Sequence, residues 1–271
     1  MTSSLPDFIG VFDRAADTYD RVATPFFGPA AKGLIDELGV QPGHRALDLG
    51  CGRGAALLPL ARAVGGTGSV LGIDLAPRMV QLAGDEVRDY PQAEVRLGDA
   101  ANPGLPPASR DVIVSTMVLH MLPDPAQAVR TWTDLLVRGG WLGVSMFGAT
   151  DAARARLQEV WEPFLPPALR PSRRRDQGPF SSDEGVERLL REAGLTDVRT
   201  VHRRFEVVYR DADQLIEVSW STGQRALWEA IPQQDHPVIS ERVRHVFAEL
   251  VGGPGPLRTE EDVRYTLGRR P

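Results

Sequence analysis

Cysteine and lysine are almost absent from this 271-residue sequence, with Cys51 and Lys32 the single example of each. One cysteine excludes an intramolecular disulfide, and such usage is typical of a reducing cytoplasm, where we expect the protein to be located. Long apolar runs are also missing. No stretch approaches the roughly 20 residues that span a bilayer, so we expect no membrane partner. The first ten residues, MTSSLPDFIG, lack a basic start followed by an apolar run, which predicts no secretory signal.

A basic excess is missing as well, since the formal net charge is −5. This charge argues against a dedicated nucleic-acid partner, which would require a basic surface. The sequence contains no His-x-x-His pair, no Cys-x-x-Cys pair and no acidic cluster apart from the ends of predicted strands, so we expect no metal site. The hydrophobic and charged fractions, 42% and 25%, are typical of a soluble globular protein. The composition is therefore compatible with one large α/β domain acting on a small molecule, and it leaves the oligomeric state open.

Short apolar runs alternate with longer amphipathic stretches from residue 44 to 147, a pattern typical of a parallel sheet covered by helices. Asp124 and Pro125 are suited to the start of one of the helices, and Gly139 with Gly140 to its end. The predicted strands are RALDL (45–49), SVLGID (69–74), AEVRLGD (93–99), DVIVST (111–116) and WLGVSMF (141–147), and the predicted helices cover 54–64, 77–89 and the segment after Asp124.

The pattern is less regular after residue 148, where a Pro- and Arg-rich connection covers 163–180. Ser181 and Glu184 then have the spacing of a capping box, and Gly194 is suited to the C-terminal cap of the same helix. A long strand at 198–210 precedes a helical stretch at 211–250 and a last strand near 262–267. No clean linker separates two domains, so we expect one structural domain with three parts: residues 1–43, 44–147 and 148–271.

Three glycines at alternate positions, Gly50, Gly52 and Gly54, follow the first predicted strand in the segment ALDLGCGRGAA. A turn that binds a dinucleotide requires G-x-G-x-x-G, because its third glycine lets the helix pack against the strand. The spacing here is different. Asp48 also places a carboxylate beside the turn, which suits an ammonium group better than a phosphate.

Three predicted strands end in acidic residues, Asp48, Asp74 and Asp99. The carboxyl ends of parallel strands share one edge of the sheet, where ligands of open α/β sheets bind. Asp74 is placed to accept both hydroxyls of a ribose, and Asp99 a second donor such as an amino group. Each aspartate alone is common after a strand, but the ordered set predicts a cofactor with a ribose, an amine and a positive charge.

Four segments together resemble the successive motifs of class I S-adenosylmethionine-dependent methyltransferases, in the branch of ubiquinone/menaquinone-type and natural-product enzymes. They are ALDLGCGRG, GIDLAPRMVQLA, RLGDAANPGLP and the run from DVIVST to WLGVSMF. The segment FDRAADTYDRVATPFF (12–27) is similar to the N-terminal lid of that branch. The resemblance covers residues 12–147 and implies a doubly wound, Rossmann-like, mostly parallel sheet of seven strands, with a helical lid at 1–43, a cofactor-binding core at 44–147, and a substrate-binding cap within 148–271 inserted before the last strand.

The resemblance also implies roles for individual residues toward S-adenosyl-L-methionine. Backbone at Gly50 and Gly52 would approach the methionine moiety, whose ammonium Asp48 would support. The remaining contacts implied are Asp74 with the ribose, Leu75 and Met79 with the adenine ring, Asp99 and the Ala100 amide with the adenine edge, Ser115 beside the methyl group, and Tyr19 closing over the cofactor.

A hydroxyl acceptor would benefit from a general base, and histidine matches neutral pH. His120 follows the fourth strand and is the candidate, with packing or a cofactor contact as its alternative role. His202 and His236 could also face the acceptor, whereas His44 precedes the first strand and His245 suits a helix surface. The arginines at 170 and 173–175 form a basic cluster, either solvated or gripping a carboxylate or phosphate. Several aromatic residues could line an acceptor pocket or pack in the core: Phe26, Phe27, Trp161, Phe164, Trp220 and Trp228.

The sequence thus predicts a methyltransferase acting on a small specialised metabolite with an apolar or aromatic body. Fold does not determine function, so an enzyme of this fold that catalyses cyclisation or another reaction stays open. A nicotinamide-dependent dehydrogenase is disfavoured by the glycine spacing, and a pure binding module would bind the cofactor without turnover.

Overall fold

Seven strands form one sheet in the order β3-β2-β1-β4-β5-β7-β6 in the computed structural model, which describes residues 8–23, 26–170 and 178–271. Every pairing among β1 to β5 is parallel. Strand β7 is antiparallel to β5. The start of β5 pairs with the end of β7, where the Gly139 amide donates to the Arg270 carbonyl, and the end of β5 lies at the start of β7, where the Ala149 amide donates to the Asp262 carboxylate. The strands are β1 (Arg45–Leu49), β2 (Ser69–Asp74), β3 (Ala93–Leu97), β4 (Arg110–Thr116), β5 (Leu136–Thr150), β6 (Thr196–Tyr209) and β7 (Leu257–Arg269). The predicted α/β class with a mostly parallel, seven-stranded sheet is confirmed.

The helices in chain order are α1 (Phe8–Ala15), α2 (Phe27–Leu38), α3 (Leu57–Val64), α4 (Pro77–Glu86), α5 (Pro125–Leu135), α6 (Ala152–Gln158), α7 (Asp183–Glu192), α8 (Ala212–Trp220), α9 (Arg225–Ala230) and α10 (His236–Val251). Helices α2 to α5 and α7 cover the two faces of this sheet. Helices α2 to α4 are on one face, where Gly143 of β5 meets Leu34 and Leu38, and Gly72 of β2 meets Leu57. Helices α5 and α7 cover the other face.

The central strands are buried because they are apolar on both faces, as parallel strands between two helical layers must be. Leu47, Leu49 and Ile113 pack with Val129 and Trp132 of α5 in one core cluster. This packing holds the carboxyl ends of β1 and β4 in place, and those ends carry the candidate site.

The chain divides into two compact units. One contains the described residues of 1–26, 149–176 and 204–262, and the other those of 27–148, 177–203 and 263–271. The division predicted at 43 and 147 is not tested by these bounds and stays a prediction. The predicted insertion before the last strand is confirmed as helical, since α8, α9 and α10 lie between β6 and β7.

Two predicted boundaries at glycines are wrong. Helix α5 ends at Leu135, and Gly139 and Gly140 lie inside β5. They pair with the last residues of the chain: the Gly139 amide donates to the Arg270 carbonyl (2.8 Å), and the Arg270 amide donates to Gly140 (2.9 Å). The predicted helix after Gly54 begins at Leu57.

The predicted cap of the next helix is displaced by one residue. Ser182, not Ser181, caps α7 by accepting a hydrogen bond from the Gly185 amide (3.1 Å). The Ser181 hydroxyl instead donates to the Gly178 carbonyl (2.9 Å). Gly194 follows α7 with a φ of 90°, as expected for a C-terminal glycine.

Four of the aromatic residues considered for an acceptor pocket are instead largely core residues of their own unit. Trp161 and Trp228 are buried in a cluster that Phe164 and Trp220 also join. Trp220 stacks on Trp228 with centroids 5.1 Å apart. Among the described helices, none is both long and apolar enough to cross a membrane.

Candidate active site

The glycine turn after β1 is pinned to the end of β2. The amides of Gly50 and Cys51 both donate to the Ile73 carbonyl, at 2.8 and 3.0 Å. Gly50 has a φ of 75°, and a Cβ there would lie 2.4 Å from a methyl group of Val118. Only glycine satisfies both constraints, so Gly50 lets the segment after β4 pack directly on the turn.

Gly52 differs from Gly50 because a Cβ at this position would meet no protein atom within 4 Å. Its φ is 51°, and its amide donates to Oδ2 of Asp74 (2.8 Å). The backbone of Gly52 is therefore held in place while the space above it stays open. Such an uncovered backbone is available for close approach by a ligand.

Asp48 lies at the carboxyl end of β1 and is completely buried. Neither carboxyl oxygen has a hydrogen-bond partner among the described residues. Burial, followed by the negative charge of Asp74, raises the pKa of Asp48 to about 8, so the carboxyl group is mainly protonated at pH 7. A buried group left without partners costs free energy, which a ligand carrying a cation and N–H donors would recover.

Asp74 ends β2 and accepts two backbone hydrogen bonds, from Gly52 to Oδ2 (2.8 Å) and from Ala76 to Oδ1 (2.9 Å). Burial raises the pKa of Asp74, although these amides act in the opposite direction. The carboxylate therefore joins the glycine turn to the start of α4. Next to it, Leu75 is 41% exposed, whereas Met79 is buried.

Asp99 follows β3 and is exposed, with Oδ1 accepting from the Ala101 amide (2.8 Å). Ala100 is buried, and its carbonyl accepts from the Trp132 indole N–H (2.7 Å). This bond ties the segment carrying Asp99 to α5. The bond uses the carbonyl of Ala100. The amide of Ala100, the group expected to face the cofactor, takes no part in it.

Ser115 joins the carboxyl ends of β4 and β1, since its buried hydroxyl donates to the Leu49 carbonyl (2.9 Å). The chain continues through Val118, which packs on Gly50, to a 3₁₀ turn at Leu119–Met121. His120 is in this turn. Burial of the imidazole, followed by the charge of Arg264, lowers the pKa of His120 to about 4, so the ring is neutral at pH 7.

The other four histidines have hydrogen-bond or ion-pair partners within the protein. His202 Nε2 is 2.9 Å from Oδ2 of Asp183, and His236 Nε2 lies 3.0 Å from the Trp228 carbonyl. His44 Nδ1 accepts from the Gln41 amide at the amino end of β1, and exposed His245 pairs with Glu249 at 3.1 Å.

Two further expectations concern groups that the candidate site does not include. Tyr19 belongs to the other compact unit, where its ring meets Phe12 edge-on at 6.1 Å, and its role over the cofactor stays a prediction. Of the basic cluster, Arg170 donates to the Leu165 carbonyl (3.0 Å), and residues 173–175 lie outside the described residues.

Sequence reasoning missed Arg264 in β7, which is 6% exposed, donates to the Phe180 carbonyl and lies close enough to His120 to affect its pKa. It lies between two buried residues of the strand, Val263 and Tyr265. No signal in the sequence separates it from the many surface arginines, because only the packing of α7 over β7 buries its guanidinium.

The turn, the acidic strand ends and the sheet define a class of protein, the α/β proteins that bind a nucleoside cofactor at the carboxyl edge of a parallel sheet. S-adenosyl-L-methionine fits the residues present. Its ammonium matches the partnerless carboxyl of Asp48, and its methionine chain matches the open space above Gly52.

Comparison with known proteins agrees with this class. A methyltransferase-domain family model matches residues 47–144. Nocamycin O-methyltransferase of Saccharothrix syringae is 36% identical over 274 residues, covering 96% of this chain and 97% of that protein. Aklanonic acid methyltransferase DauC of Streptomyces sp. (strain C5) is 37% identical over 162 residues, covering 59% of this chain and 70% of that protein.

The fold is also similar to that of the YcgJ protein of Bacillus subtilis, with a TM-score of 0.58 at 17% identity over 90% of this chain and 99% of that chain. The chain belongs to the class I S-adenosylmethionine-dependent methyltransferases.

Proposed function

We propose that this methyltransferase transfers the methyl group of S-adenosyl-L-methionine to an oxygen atom of a small specialised metabolite with an apolar or aromatic body. The observation that carries the cofactor assignment is the buried carboxyl of Asp48, which has no partner among the described residues and ends its strand beside the open backbone of Gly52. Oxygen is supported by the name of the nocamycin enzyme, which resembles this chain over nearly its whole length.

Each residue then has a defined task toward the cofactor. Asp48 would hold the ammonium, and Gly52 would leave room for the methionine chain. Asp74 would accept the ribose hydroxyls, since a carboxylate has four lone-pair directions and two are already occupied by amides. The roles proposed for the remaining residues are Leu75 and Met79 against the adenine ring, Asp99 and the Ala100 amide at its edge, Gly50 and Ser115 shaping the turn near the methyl group, and Tyr19 as part of the cover.

When bound, S-adenosyl-L-methionine supplies an electrophilic methyl group, and its transfer is an in-line displacement that depends mainly on positioning and exclusion of water. His120 is placed in the turn that packs on the glycine loop, and we propose that it contacts the acceptor. With a pKa of about 4, its neutral ring is a weak base, so an acceptor that needs little help in losing a proton suits this site best.

The test of the cofactor is a thermal-shift comparison of S-adenosylhomocysteine with NADH on the purified protein. At about 100 times its dissociation constant, a ligand adds about 2.7 kcal/mol of stability. We expect stabilisation by S-adenosylhomocysteine alone. Stabilisation by NADH alone would overturn the assignment.

The test of the reaction is incubation with isotopically labelled S-adenosyl-L-methionine and a set of polyketide-like acids and phenols, followed by mass analysis. Label in an O-methyl group is the expected product. A product rearranged or cyclised without label would identify the non-methylating alternative, and affinity for the cofactor without turnover would identify a binding module.

A further inference from the structure

Arg264 is buried, although arginine side chains are usually exposed at the protein surface. Its side chain is buried in β7, on the face covered by α5 and α7. One terminal nitrogen donates to the Phe180 carbonyl, and the other lies 3.3 Å from Oδ1 of Asp183, the first residue of α7. The third nitrogen of the guanidinium, Nε, is buried and has no hydrogen-bond partner among the described residues.

Within the part of the chain that the structure describes, the anionic partner of Arg264 is Asp183, which it shares with His202. Oδ2 of Asp183 also accepts a hydrogen bond from Nε2 of His202 (2.9 Å), and the Asp183 side chain is 44% exposed. His120, in the turn after β4, is near enough for the charge of Arg264 to lower its pKa. The two residues share a neighbour, Phe180, whose ring the His120 ring meets edge-on at 6.4 Å and whose carbonyl accepts from Arg264. Arg264 is therefore the charged residue that affects the pKa of His120.

The segment that carries His120 packs on the glycine turn after β1. Val118, two residues before His120, fills the space beside Gly50. A group placed at His120 is thus held next to the turn that would carry the methionine moiety. A buried guanidinium whose Nε has no partner among the described residues, close to the neutral imidazole of His120, is suited to an anionic oxygen.

We propose that Arg264, together with His120, binds an ionised acidic oxygen of the acceptor, so that the substrate class is a carboxylic acid or a similarly acidic enol. This inference rests on the proposed function, which it makes more specific. The Nε–H group of Arg264 donates to the anionic oxygen, while the neutral imidazole supplies a second hydrogen bond.

The transfer then requires no general base. A lone pair of the carboxylate or enolate oxygen forms the new C–O bond as the S–CH₃ bond breaks, and the electrons of that bond return to sulfur. The oxygen loses its negative charge, the sulfonium becomes a neutral thioether, and no proton moves. This balance agrees with a histidine that is a weak base at neutral pH.

The experiment measures binding of matched acids and amides to the full-length protein saturated with S-adenosylhomocysteine. The probes are 2-naphthoate and anthraquinone-2-carboxylate, each compared with its uncharged amide by calorimetry at pH 7. We expect the wild-type protein to bind the acids about 10- to 100-fold more tightly than the amides, the range of a charge-assisted hydrogen bond. Equal binding of acid and amide, or binding of neither, would overturn the proposal.

Three variants separate recognition from a structural clamp. Arg264→Gln should remove the preference for acids, and Arg264→Lys, which keeps the charge but not the fork, should retain part of it. Asp183→Asn should leave the preference unchanged or increase it, because a competing carboxylate is removed. A purely structural role for Arg264 predicts instead that Asp183→Asn and Arg264→Gln weaken all ligands together.

Arg269→Gln is the matched control, because Arg269 lies on the same strand with its side chain 49% exposed and donates to the Gly139 carbonyl. It should bind acids as the wild type does. Affinity for S-adenosylhomocysteine is measured on every sample. If the wild type binds S-adenosylhomocysteine but shows no acid preference, this inference alone fails. If the wild type does not bind S-adenosylhomocysteine, the proposed function itself fails.

Discussion

At the scale of single residues, two glycines that lie two residues apart in the same turn have different physical tasks. Gly50 is required by the fold, because Val118 occupies the position that a Cβ would take. At Gly52 the corresponding space is open, so beyond its left-handed φ of 51° the need for glycine comes from what lies outside the protein. The two positions therefore separate folding from binding within one loop.

Alanine substitutions at these glycines should give opposite results. Gly50→Ala should destabilise the protein by several kcal/mol, since overpacking and left-handed strain add. Gly52→Ala should cost about 1–2 kcal/mol from its φ alone, yet reduce affinity for S-adenosylhomocysteine at least tenfold. Urea denaturation and calorimetry measure the two effects. Equal loss of stability with unchanged binding in Gly52→Ala would contradict the assignment of the open space.

The raised pKa of Asp48 predicts that cofactor binding is coupled to the release of a proton. Its pKa of about 8 leaves it protonated in the free protein at pH 6.5, and an adjacent ammonium should ionise it. Binding of S-adenosylhomocysteine should therefore release close to one proton, and affinity should rise with pH between 6 and 8. Calorimetry at pH 6.5 in two buffers of different ionisation enthalpy measures this release. Asp48→Asn serves as the control and should bind weakly with no buffer dependence.

The same raised pKa has a consequence for stability. A carboxyl group with a pKa above its unfolded value stabilises the folded state most at low pH, and this contribution is lost as pH rises toward 8. Asp48→Asn should therefore unfold at the same or a higher temperature than the wild type at pH 8. A lower unfolding temperature at that pH would show that Asp48 has a partner when ionised.

Asp74→Ala should abolish binding of S-adenosylhomocysteine, because it removes the proposed ribose acceptor and the group that holds the Gly52 amide. The fold should remain intact, as judged by circular dichroism, since β2 keeps its pairing with β1 and β3. Asp85→Ala, an exposed position on α4, is the matched control. Normal cofactor affinity in Asp74→Ala would disprove the role assigned to the end of β2.

At the scale of elements, helix starts were predictable where a side chain caps them locally. Asp124 caps α5 as predicted, with its carboxylate accepting from the Gln127 amide (2.9 Å). Helix ends and strand lengths were less predictable, because they depend on partners far along the chain. The carbonyl groups at the end of α5 are met by the Arg270 side chain, which donates to Asp134 (2.8 Å) and to Leu136.

The Asp124 cap should be measurable in isolation. Asp124→Ala should lower the free energy of unfolding by about 1 kcal/mol, the usual loss for an N-cap. Arg130→Ala, on the exposed face of the same helix, should change it by less than about 0.5 kcal/mol. Chemical denaturation of both variants gives the comparison, and an equal effect would show that the cap contributes nothing specific.

At the scale of the whole molecule, contacts between distant parts of the sequence complete the sheet and its helical layers. Tyr265 of β7 donates to the Ala30 carbonyl in α2 (2.7 Å), 235 residues away, and Gly33 leaves room for its ring. Burial raises the pKa of Tyr265, so the phenol stays protonated and remains a donor. This hydrogen bond therefore links β7, the last strand, to α2.

Tyr265→Phe should test that link. It leaves a buried carbonyl of α2 without its donor and should cost about 1–3 kcal/mol of stability. Tyr90→Phe is the control, because Tyr90 makes an exposed contact with Arg62 (3.1 Å). Comparable stability of Tyr265→Phe and the wild type would show that α2 is held by apolar packing alone.

The sequence by itself determined the alternation of strands and helices, the glycine turn and the order of the acidic strand ends, because these depend on local periodicity and on chain direction. The tertiary structure alone decided which glycine leaves open space, that Asp48 lacks a partner among the described residues, and that Arg264 is buried beside His120. Burial and electrostatic environment arise from residues brought together from distant segments, and no local pattern encodes them.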